Sequence, residues 1–424
     1  MVPYLSKGSI LMRATTFVAC LALTLAMAAS RPVAAENAPP PAKDRNCQTA
    51  QAFGPWFEDF KRQAVSEGIK AQTIQNAIGG MTPEQKVIRS DRAQSFFSQT
   101  FVEFYGKLAT ANRLQTARAY VQKYKPTFDR AEKEYGVPGA VITAFWALES
   151  DFGSGMGNLP VLRSLVTLAW DCRRGEMFRE ELKAALRIIE RGDLSAQEMI
   201  GSWAGELGQT QFLPKHYLNY AVDYDGDGRR DLIHSIPDII GSTANFIKSL
   251  GWRGGEPWIE EVRVTKDLPW EQADLAIELP RSKWVAWGIA SADGRPLAAD
   301  ALNASLMLPM GRNGPAFLAY PNFKAYLQWN QSLTYATTAA HLAARVAGAP
   351  ALGRGNGQPI AALSYEQIKE LQTILNHRGF DVGEADGKLG SGTRKAVKNV
   401  QQKLGFPADS YPTPDLLDAL RRKG

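Results

Sequence analysis

Cysteine is scarce in this chain. There are three in 424 residues, and Cys20 falls inside an N-terminal stretch expected to be removed. An excess of one charge is missing too: 49 Lys and Arg face 43 Asp and Glu. The N-terminal stretch takes Lys7, Arg13 and Arg31 with it and no acid, so the net charge falls from +6 to +3. With no basic stripe and no matching motif, nucleic acid is excluded as a partner. No further long uncharged apolar run argues for stable membrane insertion. At 45% hydrophobic and 22% charged residues, the composition is neither that of a disordered chain nor that of a collagen. The length exceeds what one core fills, so two or three domains are expected, in a monomer.

Residues 1–35 read as a signal peptide. Lys7 and Arg13 give a positive front, Thr16–Ala29 is an uncharged and mostly apolar run, and Val33-Ala34-Ala35 is a small-residue cleavage site. Cleavage is expected before Glu36, with Ala28 as the second candidate. Cys20 lies within the apolar run rather than at its end, which favours a soluble exported, periplasmic protein over a lipoprotein. Cys47 and Cys172 then remain. In an oxidising compartment such a pair suggests one disulfide, the alternative being two buried thiols.

Residues 36–47, with NAPPPAK at 37–43, read as a proline-rich tether. A mostly helical catalytic domain is expected over 48–350. Its helices cover Ala109–Tyr135 (broken near Pro126), Pro138–Ser150, Glu176–Arg191, Ile236–Leu250 and Thr334–Ala347, and Pro55 sits in an earlier first turn. From about 251 to 320, short alternating segments broken by Pro, Gly and Asp predict a small β-containing insert. Residues 351–362, with GRGNG, form a linker. Residues 363–424 form a small separate domain with amphipathic helices at Tyr365–Asn376 and Gly392–Leu404. The fold class is mainly α (α+β).

The stretch VITAFWALESDFG (141–153) ends an apolar helix on Glu149. A carboxyl in such desolvated surroundings has its ionised form disfavoured, so its pKa should rise. A protonated Glu near neutral pH is a general acid for glycosidic cleavage. The alternative is a helix-end Glu facing solvent. GSWAGELGQTQFLPKHY (201–217) and YPNFKAYLQWNQSLTY (320–335) mix Gly, amides, hydroxyls and aromatics, a composition suited to the polar edges and apolar faces of sugars.

Together with DYDGDGRRDL and GSTANFIKSLGW, these motifs resemble, in order and spacing, the B-type lytic murein transglycosylases, lysozyme-like enzymes that cleave peptidoglycan strands. The resemblance runs from about Phe53 to Ala347. It implies a lysozyme-like helical fold, Glu149 as sole catalytic acid/base, and no required cofactor. It also implies Ser202 and Gln211 beside Glu149, with Asn330 and Tyr335 completing the cleft. Gln209 and Tyr217 are further candidate substrate contacts from the first stretch. Phe246 stands where some relatives carry Tyr, which leaves it a stacking role. An ordinary glycosidase needs a second carboxylate, for which Glu206 and Asp151 are the candidates. A hydrolytic muramidase and a non-catalytic wall-binding scaffold are the competing functions.

Asp223, Asp225 and Asp227 alternate, Gly228 takes the sixth place, Arg229 the seventh and Asp231 the ninth. That is the spacing of a calcium loop, except that His234 stands at the twelfth place instead of Glu. Asp238 could substitute. A structural Ca2+ is expected, a solvated acidic turn being the alternative. The tail, with Asp386-Gly387, Gly390 and Thr393, resembles the three-helix peptidoglycan-binding domain of wall hydrolases. Peptidoglycan is therefore the expected partner, with generic protein docking as the tail's alternative.

Overall fold

The computed structural model describes residues 47–93, 99–293 and 295–422. The expected signal segment, and all but the last residue of the expected tether, lie outside them. No helix among the described residues is long and apolar enough to cross a membrane.

Helices α1 (Phe53–Ser66), α2 (Ala71–Ile78), α3 (Gln85–Arg92), α4 (Phe101–Leu108), α5 (Ala111–Lys123) and α6 (Lys125–Tyr135) lead into α7 (Gly139–Ser150). The long expected helix divides at Tyr124, because Pro126 suits the first turn of a new helix and not the interior of an old one. Helix α7 is apolar on every side, and burial follows: all of its residues except Leu148 and Glu149 are buried. It ends on Asp151 and Phe152 with φ of 50° and 57°. Two successive non-glycine residues in the left-handed region cost about 1–2 kcal/mol each. Phe152 is held there by ring contacts with Tyr120 and Trp146.

The strand β1 (Leu159–Pro160) precedes α8 (Val161–Trp170) and α9 (Gly175–Arg191), and it pairs with β2 (Ile200–Gly201). Next come α10 (Pro214–Tyr220) and α11 (Ile236–Ser249). Cys47 and Cys172 form a disulfide, joining the start of the described chain to the α8–α9 turn.

The insert contains β3 (Ile259–Val264), β4 (Leu279–Pro280), α12 (Arg281–Ala286), β5 (Ile289–Ser291), β6 (Asn303–Met307) and β7 (Ala316–Ala319). Its antiparallel sheet runs β4-β6-β7-β3-β5. Period-two alternation gives this sheet two buried faces. Ile259, Met307, Phe317 and Ala319 join the main helical core, while Val262, Leu306, Ala316 and Leu318 close over Trp284 in a second core.

Helices α13 (Phe323–Trp329) and α14 (Leu333–Val346) then return to the helical body, where α14 packs along α7. The tail helices α15 (Tyr365–His377), α16 (Ser391–Leu404) and α17 (Pro414–Arg422) enclose a third core around Leu371, Leu375, Val397 and Leu416. Buried Gln372 explains the tail's signature residues. Its Nε2 donates to Asp386, Lys388 and Thr393, and its Oε1 accepts from the Gly387 amide. The tail does not hang free. Arg394 donates to the Leu308 and Pro309 carbonyls of the insert, Lys398 pairs with Asp274 at 2.7 Å, and Tyr411 belongs to the main core.

Candidate active site

Glu149 occupies the last turn of α7, at the edge of the most completely buried of the described helices. One side-chain oxygen, Oε1, accepts from Trp329 Nε1 at 2.8 Å and from the Tyr335 hydroxyl. The other, Oε2, has no partner among the described residues. Both donors are placed by packing. The Trp329 ring stacks on Phe145, one turn before Glu149, with centroids 4.2 Å apart. Tyr335 lies in the first turn of α14, whose start is fixed where the Ser332 hydroxyl accepts from the Tyr335 amide. Asn330 supports the same turn, its Oδ1 accepting from the Ser332 amide. Its Nδ2 remains unpaired among the described residues.

Desolvation dominates the electrostatics of Glu149 and lifts its pKa to about 7. The bonds from Tyr335 and Trp329 pull the other way, and the nearby Glu206 carboxyl adds a small upward push. Part of the side chain still reaches the surface. The group is thus largely dehydrated but open to a ligand on its Oε2 side.

The Gly-rich stretch forms a tight hairpin, with Gly201 bridged to Leu207 and Leu207 to Phe212. Gly201 is required by close approach, since a Cβ there would stand 2.1 Å from the Glu206 carbonyl. In this hairpin Ser202 donates to Glu206 Oε2 and accepts from the amides of Ala204 and Glu206. Its hydroxyl is therefore committed to Glu206, whose carboxyl is close enough to act on Glu149. Burial raises the Glu206 pKa. Gln211, with φ of 51°, donates through Nε2 to Gly208 O and Met156 O, leaving Oε1 unpaired among the described residues.

Two expected substrate contacts need correction. Gln209 bridges Trp146 Nε1 and the Ile233 carbonyl, each at 2.8 Å, while its own carbonyl accepts from Ser150. Tyr217 is 0% exposed and donates to the Arg230 carbonyl. Both are struts inside the protein, because a buried polar group that lacks an internal partner is costly. Asp151 points away from a second-acid role: it pairs with Arg113 at 3.1 Å. Phe246 packs against Trp329, Phe212 and Tyr220, consistent with stacking alone.

Trp329 was not foreseen as a partner of Glu149, although it stands in the aromatic-amide stretch. A lone Trp beside Leu and Gln reads as core. Only the 180-residue jump in the fold reveals its donor.

In the acidic loop, carboxylate oxygens of Asp223, Asp225 and Asp227 lie within 4.8 Å of one another. Asp223 also accepts from the amides of Gly226, Asp227 and Gly228. Asp238 departs from the expected ligand set. Its two oxygens accept from the amides of Tyr224, Asp225 and Asp231, so it clamps the loop from below. The Arg229 side chain turns to the Asp193 carbonyl and to Glu198, which leaves only its backbone carbonyl for a cation.

Residues 52–344 match the family described as the transglycosylase SLT domain, and residues 364–420 match a peptidoglycan binding domain family. Membrane-bound lytic murein transglycosylase B of Escherichia coli (strain K12) is 28% identical over 289 residues, 68% of this chain and 79% of that protein. The structure of SltB3 from Pseudomonas aeruginosa in complex with NAG-anhNAM-pentapeptide is 41% identical, with a TM-score of 0.81, covering 88% of this chain and all of that one. The Escherichia coli lytic transglycosylase Slt35 in complex with calcium is 27% identical, with a TM-score of 0.60, over 72% of this chain and 98% of that one. With the family match spanning more than half its length and ending on the helix that carries Tyr335, the chain belongs to the transglycosylase SLT domain family.

Proposed function

We propose that the protein is a lytic murein transglycosylase in which Glu149 alone performs both proton steps. Protonated Glu149 gives its proton to the oxygen linking N-acetylmuramic acid to N-acetylglucosamine, and the C1–O bond breaks. The N-acetyl carbonyl of the muramyl residue supports the positive charge at C1. The muramyl 6-hydroxyl then attacks C1 and returns its proton to Glu149, closing a 1,6-anhydro ring. One bond to C1 forms for the one broken, and no water is consumed. The observation that carries this reading is a desolvated carboxyl, poised near pH 7, with one oxygen held by two donors and the other free. The partial dehydration also keeps competing water away. The relative SltB3 is seen in complex with NAG-anhNAM-pentapeptide, a ligand of the same anhydro class.

A muramidase would need an ionised second carboxylate. Glu206 is pushed toward its neutral form and bonded by Ser202, and Asp151 is engaged by Arg113. The raised Glu206 does not suit that task, and Asp151 is tied to Arg113 of α5 with no bond, among the described residues, to any group that holds Glu149. Mass analysis of digested wall tests the reading: the account expects anhydromuramyl ends, one water lighter than reducing ends. Reducing ends as the main product would overturn it, as would binding of wall without release of fragments. Glu206→Gln is a second discriminator, expected to keep activity within roughly tenfold, whereas an essential second carboxylate would cost 10²-fold or more.

Export through residues 1–35 to the periplasm and anchoring to peptidoglycan by residues 363–424 belong to the same proposal. So does a structural Ca2+ at Asp223, Asp225, Asp227 and the Arg229 carbonyl. The three carboxylates converge as a hard cation requires. The set lacks a twelfth-place carboxylate, and the His234 ring there pairs with Asp231. The ion would brace the loop and take no part in the proton transfers.

A further inference from the structure

We propose that a cavity at the end of the insert's sheet is a second recognition site, taking a free carboxylate of a wall peptide on Arg263 and Arg312. The inference rests on the wall substrate argued above but not on the Glu149 chemistry. The cavity holds about 300 Å3 and is lined by β3 from Val262 onward, by the turn before β7 and by the linker at Gly355 and Asn356. None of its lining residues belongs to the Glu149 cleft.

The two arginines stand out by their lack of partners. Elsewhere in the insert, Arg281 pairs with Asp300 and Arg295 with Asp293. The guanidinium groups of Arg263 and Arg312 have no ion pair or hydrogen bond among the described residues. Two like charges lining one small cavity repel each other, and an anion between them relieves that repulsion. A guanidinium fork matches a planar carboxylate in a bidentate fashion.

The backbone of this site is firmly held. The Arg312 amide donates to Asp409 of the tail at 3.0 Å, and its carbonyl accepts from Asn356 of the linker. The Gly353 amide donates to Glu261 on β3. Insert, linker and tail thus meet around the cavity, so a peptide bound there engages the junction of the catalytic and wall-binding parts.

The test uses the full chain and three substrates: glycan strands with free-carboxylate pentapeptide stems, strands with those carboxylates amidated, and strands stripped of peptide. The expected KM on free-carboxylate strands is roughly tenfold below that on amidated strands, with kcat unchanged. Arg263→Gln combined with Arg312→Gln should erase that difference and leave turnover of stripped strands as it was. Calorimetric titration with a muramyl pentapeptide and its amide reads the site without turnover. Equal affinity for acid and amide, or a preference that survives the double substitution, overturns the proposal. So does inorganic phosphate displacing the peptide at equal concentration, which would mark a general anion site. Failure of stripped strands to yield anhydro ends would instead indict the Glu149 reading, since those strands carry nothing for the cavity.

Discussion

Glu149 and Glu181 are both carboxyls walled off from water on helices, and burial lifts both to about 7. They differ in what surrounds them. Glu181, 5% exposed on α9, accepts from the Lys215 amide at the start of α10, an acceptor for an otherwise unpaired helix-end N–H. Glu149 accepts on one oxygen from two side chains brought in by α13 and α14, and in both residues the second oxygen has no partner among the described residues. A raised pKa alone does not make a catalyst. The setting separates them: the anchored oxygen of Glu181 serves a helix-end amide, whereas that of Glu149 is held by the indole and phenol of the aromatic-amide stretch, with the Glu206 carboxyl nearby.

The largest expected effect breaks the comparison on the Glu149 side. Glu149→Gln should lower fragment release by at least about 10³-fold while binding to wall is retained. Since the wild-type carboxylate is uncomfortable when ionised, the variant should also be the more stable protein at pH 8, as read by denaturant unfolding. Equal activity in the variant would remove Glu149 from the mechanism.

Next comes the Tyr335 hydroxyl. Tyr335→Phe deletes a donor that favours the ionised form, so the Glu149 pKa should climb further. Activity that needs the protonated acid falls as pH rises through about 7 in the wild type. In the variant that limb should move to higher pH, with kcat lower by roughly tenfold to a hundredfold. A plain loss of kcat with the limb in place would mean Tyr335 acts only through packing.

Glu181 should show the opposite division. Its folded pKa lies above the ordinary 4.5, so the folded state binds the proton more tightly. Its contribution is most favourable below pH 4.5 and declines as pH rises to about 7, by ~3 kcal/mol in all. Glu181→Gln should flatten that decline in urea unfolding and leave turnover near wild type. An equal loss of activity in both Gln variants would collapse the distinction.

The smallest effect concerns the acidic loop. Chelation of calcium is expected to lower Tm by about 2–5 °C, with Asp223→Asn abolishing the response and the pH profile unchanged. A chelator that alters product chemistry would contradict a bracing role.

Much of this comparison was legible in the sequence. An uncharged apolar run ending on a single carboxylate announced Glu149, and the family resemblance supplied Tyr335 and Asn330. The break near Pro126, the β-containing insert and the first two tail helices follow from local backbone rules, and the third tail helix from the family resemblance. What the sequence concealed were pairings across long separations. Trp329 looks like core until its N–H is found on Glu149. Gln209 and Tyr217 look like sugar contacts until burial assigns their polar atoms to the protein. Ser202 and Glu206 were each singled out, but not as partners, because the hairpin that joins them depends on Gly201 accepting a backbone contact too close for any side chain. Asp238 fits a ligand pattern by spacing, yet its complete burial under the loop commits it to backbone amides. The glycine-rich linker marks where the tail begins, but not that Arg394 and Lys398 dock the tail on the insert.

The most direct measurement is a titration of the Glu149 carboxyl itself, taken as the infrared difference between the wild type and Glu149→Gln across pH. The account predicts a protonated band that disappears with a midpoint of about 7. A midpoint near 4.5, with turnover constant from pH 5 to pH 7, would contradict it.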